Sequence, residues 1–515
     1  HRRRHSFPTR RSSDLPVPPF GGDDLYDISG DGSYISFSYV SRKDEHINTV
    51  WKIKLVKIQI LEDKVNFEYD EKVENNQIEG RQQNPLFSAD GNVLFYTAMP
   101  RNFLESDYTF LVSYSIKTQT TTKHTEGFKY GVSGFYQYNE NAMIISVDSN
   151  GQNELFYFNI NNSKDIKQIK DVDDKYCKDI PLFFETIKDS TNATKIIAYG
   201  LVSADLSPSK LVRFSFTETF SELTSKDVYS SNPTFDADFI IPKAQRIIFK
   251  GSTINDSQGW VIEPINYEVG KKYPVAFLIH GGPEGSWDNR WSNGWNPLLW
   301  ASQGYYTVMI NPEGSTGKGQ DYTDEVRGNW GGHPYETLKL GFKDFISKYP
   351  DADSSRACAA GASYGGYMVN WIQGMQGKNP DPDFSFKCLV THDGVFSTLS
   401  MFYITDEIWF PVAEYCDKNT PGICHPYEQE HREQFTKYSP DTLVEYWSVP
   451  HLVIHGSNDL RIPVSEGISA FTALQMRGVE SKFIHFTKEN HWVLKRENSI
   501  AWYENVLGWF DKHIK

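Results

Sequence analysis

Gly361-Ala362-Ser363-Tyr364-Gly365 sets a serine between two glycines, each two residues away. Such spacing suits an alcohol held on a sharp turn, because the absent side chains leave room for a strained serine backbone. Alone the pattern carries little weight, since with glycine near 7% of residues it arises by chance in roughly one chain in five of this length. Its setting gives it meaning. The apolar run "RACAAG" precedes it and the helical pattern "GGYMVNWIQGMQ" follows. A serine hydroxyl is a weak nucleophile that needs a base, a group to orient that base, and donors for the oxyanion it creates. On strand-to-helix turns of this kind the partners follow in the order acid, then histidine. Asp459, in "HGSNDLRIPVSEG", is the candidate acid, and Asp441, ahead of that unit, fits worse. His491, in "ENHWVLK" just after the run "KFIHF", is the candidate base, whereas His485 lies inside that run and reads as structural. The expected oxyanion donors are the backbone N–H of Tyr364, directly after the serine, and that of Gly282 in "HGGPEG". The chemistry would be acyl transfer: His491 takes the Ser363 proton and returns it to the leaving group, and Asp459 fixes the imidazole tautomer.

The elements needed to bring these residues together are legible from residue 246 onward. "PVAFLIH", "YYTVMIN", "CLVTHDG", "HLVIHG" and "KFIHF" read as strands. Between and after them lie helical patterns: "NPLLWASQG", "HPYETLKLGFKDFISKY", "PVSEGISAFTALQMRG" and "SIAWYENVLGWFDKHI". Continuous apolar strands alternating with amphipathic helices predict a doubly wound, mostly parallel α/β sheet, here an α/β-hydrolase domain over 246–515. Residues 16–245 follow another grammar of short strands such as "YISFSYV", "NVLFYTAM" and "AMIISVD", bounded by Gly, Asn, Asp, Ser or Pro. "DISGDGSYISFSYV" and "LFSADGNVLFYTAM" share Ser-x-Asp-Gly before an apolar strand, with Ser29 and Ser88 in matching places. "YNENAMIISVD" and "FDADFIIPKAQRIIFK" read as degraded copies. Repeats of that size predict an all-β propeller of about five blades, N-terminally truncated. Residues 1–15, "HRRRHSFPTRRSSDL", show no hydrophobic pattern and read as a non-native, adapter-like segment rather than a basic targeting arm.

Composition narrows the function classes. Hydrophobic residues make up 39% and charged residues 23%, the balance of a globular chain. The net charge of −14 becomes −18 without the first fifteen residues, which argues against a nucleic-acid partner. No apolar run is long enough to span a membrane. The five cysteines are no disulfide scaffold. Cys358 and Cys388, in apolar runs, read as buried small hydrophobes, while Cys416 and Cys424 bracket a loop that a disulfide would close. No Cys/His spacing suggests a metal, and no cofactor is expected. Three sequons, at Asn161, Asn192 and Asn255, matter only in a secreted chain.

"GASYGGY", "HGGPEGSW", "HGSNDLRIPVSEG" and "ENHWVLK" together resemble the prolyl oligopeptidase family (S9) of serine peptidases. "NWGGHPYE", "THDGVFSTL" and "SKFIHFTKENHWVLKRENS" are similar to its dipeptidyl-peptidase and acylaminoacyl-peptidase-like branches. The likeness is specific over 245–515 and looser from Leu15 onward, and the chain departs from the family in length. The resemblance implies a propeller that caps the active site, short peptides as substrates, and Ser-His-Asp acyl-enzyme catalysis that releases dipeptides from N-termini. Acylaminoacyl-peptidase, oligopeptidase and α/β-hydrolase esterase activities are the alternatives. Aromatic side chains from the end of "THDGVF" onward, such as Phe396 and Trp409, read either as lining for the pocket of the residue before the scissile bond or as core. The expected location is secreted or extracellular, otherwise cytoplasmic. A propeller without its first blades exposes strand edges, so the 515-residue chain is expected to aggregate. A monodisperse, cooperatively melting, active preparation would contradict that.

Overall fold

The computed structural model describes residues 25–40, 47–61, 64–70, 73, 78–162, 164–172, 183–188, 192, 194–204, 206–242, 244–420 and 422–515. The adapter-like segment and Cys177 lie outside them.

Four antiparallel-rich sheets follow one another through the N-terminal half, three of four strands and one of five. They span residues 26–70, 82–123, 132–168 and 170–230. Four such sheets, not about five, account for the described residues. The Ser-x-Asp-Gly repeat is physical. In the first sheet the Ser29 hydroxyl donates to Asp31 Oδ1 at 2.7 Å and accepts the N–H of Tyr34 at 2.9 Å. In the second, Ser88 and Asp90 pair at 2.6 Å and the N–H of Val93 donates to Ser88 at 2.9 Å. These serine hydrogen bonds, with neighbouring donors, hold both aspartates down to about 2. "YNENAM" is likewise the first hairpin of the third sheet, paired through Ala142 and Asn139. The fourth copy needs correction. "FDADFIIPKAQRIIFK" gives a short helix, Phe235–Asp238, and then a strand of the C-terminal sheet. Ile247 and Phe249 of that strand are buried in the core of the C-terminal domain, whereas Phe239 and Ile240 are exposed.

That C-terminal sheet has eight strands. They are β1 (Ala244–Phe249), β2 (Ser257–Ile262), β3 (Tyr273–Ile279), β4 (Tyr306–Asn311), β5 (Ala352–Ala362), β6 (Cys388–His392), β7 (His451–Gly456) and β8 (Ser481–Phe486). Their spatial order is β1-β2-β4-β3-β5-β6-β7-β8, with β2 antiparallel to both neighbours and the rest parallel. β3 is buried along its whole length because both of its faces are covered. Val275, Phe277 and Ile279 point to one layer, with α2 (His333–Lys348) and α3 (Tyr364–Lys378). Ala276 and Leu278 point to the other, with α1 (Pro297–Ser302) and α5 (Arg496–Ile514). A further helix, α4 (Ser465–Met476), lies between β7 and β8 in the chain.

The cysteines of the central strands also correct the sequence reading. Cys358 on β5 sits opposite Cys388 on β6, with Cα atoms 4.8 Å apart, and the two form a disulfide. Parallel pairing brings together two small side chains that separately look like ordinary core residues. Cys416 and Cys424 form the second disulfide, as their loop suggested. Among the described residues no helix is long and apolar enough to cross a membrane.

The N-terminal sheets reach the C-terminal domain through polar contacts. Arg101 donates to both oxygens of Asp324 at 2.8 and 2.9 Å and to Asp107 on its own side. Asp148 accepts from Thr316 at 2.5 Å and Ser286 at 3.3 Å. Denatured without reductant, the chain is expected to titrate at most one thiol with a disulfide-exchange reagent. Five thiols would contradict the pairing.

Candidate active site

β3 and β5 are hydrogen-bonded neighbours with Ile279 opposite Gly361. The chain therefore leaves the sheet at two adjacent points, into "HGGPEG" and into Ser363. Ligands favour this carboxyl end of an α/β sheet, where successive connections diverge. Ser363 stands between β5 and α3 at φ 58°, ψ −122°, a region costly for any residue with a Cβ. The surroundings hold it there: its N–H donates to His392 O at 3.0 Å and its carbonyl accepts from Tyr367 N–H at 2.8 Å. The flanking glycines are needed for packing. A Cβ on Gly361 would lie 2.4 Å from Gly365, and one on Gly365 would lie 2.2 Å from Ile279 O. α3 thus rests directly on the backbone of β3 and β5.

Asp459 follows β7 and His491 follows β8. Asp459 Oδ1 accepts the N–H groups of Arg461 and Ile462 at 3.0 and 2.9 Å. Its Oδ2 accepts from His491 Nδ1 at 2.6 Å. With the proton on Nδ1, Nε2 keeps its lone pair. Burial pushes the His491 pKa down, but the charge and hydrogen bond of Asp459, helped by Asp393, outweigh it and leave the pKa raised. Ser363, His491, Gly281 and Gly282 all line one cavity of about 330 Å³.

The remaining expected residues sort clearly. Tyr364 opens α3, where first-turn N–H groups lack intrahelical partners. Its ring is buried and its hydroxyl donates to Trp330 O at 2.8 Å. Gly282 lies at φ 123°, which only glycine adopts cheaply. His280, ahead of it, is structural. Burial lowers its pKa to about 4, and Nδ1 reaches Gly281 O at 2.7 Å while Nε2 meets the Ser315 hydroxyl at 2.9 Å. His485 pairs with Ser457 Oγ at 2.6 Å, and Asp441 accepts from Ser439 at 2.5 Å. Neither lines the cavity.

Phe396 and Trp409 do not line it either, and that expectation is corrected. Phe396 packs edge-on against Trp447, and Trp409 is buried with the Arg461 guanidinium 5.7 Å over its ring. The cavity wall is built instead from Trp295, Trp492, Trp502 and Tyr503. Trp295 belongs to the tryptophan-rich run after "HGGPEG", and the other three come from the loop after β8 and from α5. Sequence reasoning also missed a charged end to the cavity, Glu105 and Arg461. They are ion-paired across the two domains, and Arg461 also holds Glu407 at 2.9 Å. No local motif links residues so far apart in the chain. Asp393 was missed as well. It is fully buried after β6 at φ 46°, and only its place at a strand end signals it.

Comparison with known proteins agrees with this geometry. Residues 291–515 match the Prolyl oligopeptidase family. The chain is 34% identical over 504 residues to a probable dipeptidyl-peptidase 5 of Emericella nidulans, an alignment covering 98% of this chain and 66% of that protein. It is 33% identical to dipeptidyl-peptidase 5 of Schizosaccharomyces pombe, covering 97% of this chain and 67% of that protein. The chain belongs to the prolyl oligopeptidase family. It spans about two thirds of the length of these relatives. In fold it is similar to Pyrococcus horikoshii acylaminoacyl peptidase, with TM-score 0.71 at 20% identity over 96% of this chain and 71% of the other. It is also similar to a puromycin-hydrolysing peptidase of Mycobacterium tuberculosis, with TM-score 0.63 at 16% identity over 95% and 78% of the two chains.

A raised folded pKa means that the His491–Asp459 pair favours the folded chain below about pH 6.5. That contribution fades as pH rises through the folded value. The Nδ1–H resonance of His491 is expected to titrate above 6.5, and Asp459→Asn to bring the midpoint down. An unchanged midpoint in that variant would contradict the pairing.

Proposed function

We propose that the chain is a serine peptidase that releases dipeptides from the free N-termini of short peptides through an acyl-enzyme on Ser363. The observation that carries this reading is the His491–Asp459 hydrogen bond in the same cavity as a serine held at positive φ. His491 Nε2 receives the Ser363 proton as Oγ attacks the carbonyl carbon. The N–H groups of Tyr364 and Gly282 are the candidate donors to the oxyanion. The imidazolium then protonates the leaving amine, and water repeats the sequence on the ester with His491 again as base. Asp459 stabilises the imidazolium in both halves. The aromatic wall suits an apolar side chain next to the scissile bond.

The charged end supports the exopeptidase choice. The Glu105 carboxylate lines the cavity, where it meets a substrate ammonium, and Arg461 holds it there. The names of the relatives, dipeptidyl-peptidase 5, favour the same choice. An acylaminoacyl-peptidase reading would turn to Arg461 instead, whose guanidinium suits a blocked N-terminus. An oxidising, extracellular compartment belongs to the proposal because two disulfides suit a secreted chain.

Glu105→Gln separates the readings. For a dipeptide anilide with a free amino group it is expected to raise KM about tenfold or more with a smaller change in kcat. For the N-acetylated anilide it is expected to change little. Preferred turnover of the blocked substrate by the unsubstituted chain would overturn the dipeptide assignment. Undiminished turnover in Ser363→Ala would overturn the peptidase mechanism.

A further inference from the structure

Beside the His491–Asp459 pair lies a buried carboxylate that the mechanism above does not use. Asp393 directly follows β6 as Asp459 follows β7, and its side chain is wholly buried. The carboxylate oxygens of Asp393 and Asp459 and a ring nitrogen of His491 all lie within 4.8 Å of one another. Backbone groups aim Asp393 at this point: its own N–H donates to Ile454 O at 2.9 Å, and Gly456 N–H donates to its Oδ1 at 3.1 Å. The residue stands at φ 46°, an unfavourable conformation for a side-chain-bearing residue that aspartate and asparagine tolerate best.

Resting on the triad reading, we propose that Asp393 is a second acid of the histidine site, a positioning residue whose negative charge supports the His491 imidazolium together with Asp459. Two carboxylates so close repel each other, and polar groups from several elements pack around them. His455, on β7, sets Nε2 3.6 Å from Asp393 Oδ1 and 3.6 Å from Asp459 Oδ2, and the same nitrogen reaches Ile462 O at 2.7 Å. His392, on β6, brings Nε2 to 3.0 Å from Asp393 Oδ2. Arg461, in the loop after β7, opposes protonation of His491, and Glu466, on α4, is turned to the N–H groups of Phe396 and Ser397 at 2.9 and 2.8 Å. Burial pushes the Asp393 pKa up, yet the charges of His392 and His455 and the charge of His491 leave it lowered. The carboxylate is therefore ionised in the range where His491 titrates. A carboxylate on either of two neighbouring strand ends can thus face one imidazole, and this chain carries both.

A staple role is the competing explanation, since Asp393 also ties β6 to β7 through the two backbone hydrogen bonds. The acid limb of kcat/KM distinguishes the two, because it reports the pKa of the free base. Asp393→Asn keeps the size and the tolerance of positive φ while removing the charge. Loss of a nearby anion lowers the pKa of a histidine, so the acid limb is expected to move down by about one pH unit. A staple would lower stability or kcat without moving that midpoint, and an unmoved midpoint overturns the proposal. Asp459→Asn tests it from the other side with Asp393 intact. A histidine left with no acid loses about 10⁴-fold in kcat. With Asp393 still facing the ring the loss is expected to stay near 10²-fold, and Asp393→Asn/Asp459→Asn is expected to fall the rest of the way. A 10⁴-fold loss in Asp459→Asn alone overturns the second-acid role even if Asp393→Asn does not fold. Failure of the triad reading looks different: Asp459→Asn and His491→Ala would both retain full activity.

Discussion

The parallel pairing of β3 with β5 is the constraint on which the site depends. It puts Ile279 across from Gly361, so the two loops that follow emerge side by side. One carries Ser363, and the other carries Gly281 and Gly282. The pairing needs α3 close to the sheet, and that closeness needs glycine at 361 and 365, where a Cβ would strike backbone. Strain at Ser363 is thus carried by the packing of α3 on the sheet. β6, β7 and β8 continue the order, and each hands one polar residue to the same edge: Asp393, Asp459 and His491.

Much of this was legible because strand, turn and helix grammar is local. "PVAFLIH" is apolar at every position because β3 is covered on both faces, and the structure buries all of Tyr273–Ile279. Asp459 and His491 could be chosen by their place after strand-like runs. The Ser-x-Asp-Gly repeat showed itself because the same serine–aspartate hydrogen bonds recur at Ser29 and Ser88. Other features depend on register or on distant contacts, which leave no local pattern. Cys358 and Cys388 become partners only once β5 lies beside β6. Glu105 reaches Arg461 from another domain. Phe396 and Trp409 were sensible choices by type, but Phe396 packs on Trp447, Trp409 is buried, and the aromatic wall comes from elsewhere in the chain.

Buried charge is distributed in a consistent way around the cavity. At the histidine, anionic groups outnumber the opposing Arg461 and hold the imidazole basic. Arg461 itself ties the hydrolase domain to Glu105 of the N-terminal sheets and is held by Glu407 of its own domain. Arg461 keeps Glu407 as a partner within its own domain, so its pair with Glu105 links the N-terminal sheets to a charge that is already held in place. Arg461 thus bears on two groups of one cavity: it pairs with the Glu105 carboxylate and opposes the charge on His491.

Covalent labelling tests the central claim most directly. An organofluorophosphonate reacts only with a serine activated by a neighbouring base. Intact-mass and peptide analysis should show one equivalent bound to Ser363, with the rate collapsing in His491→Ala while the fold is retained. Labelling at another serine, or equal labelling of Ser363 without His491, would contradict the assignment of Ser363 and His491 as nucleophile and base.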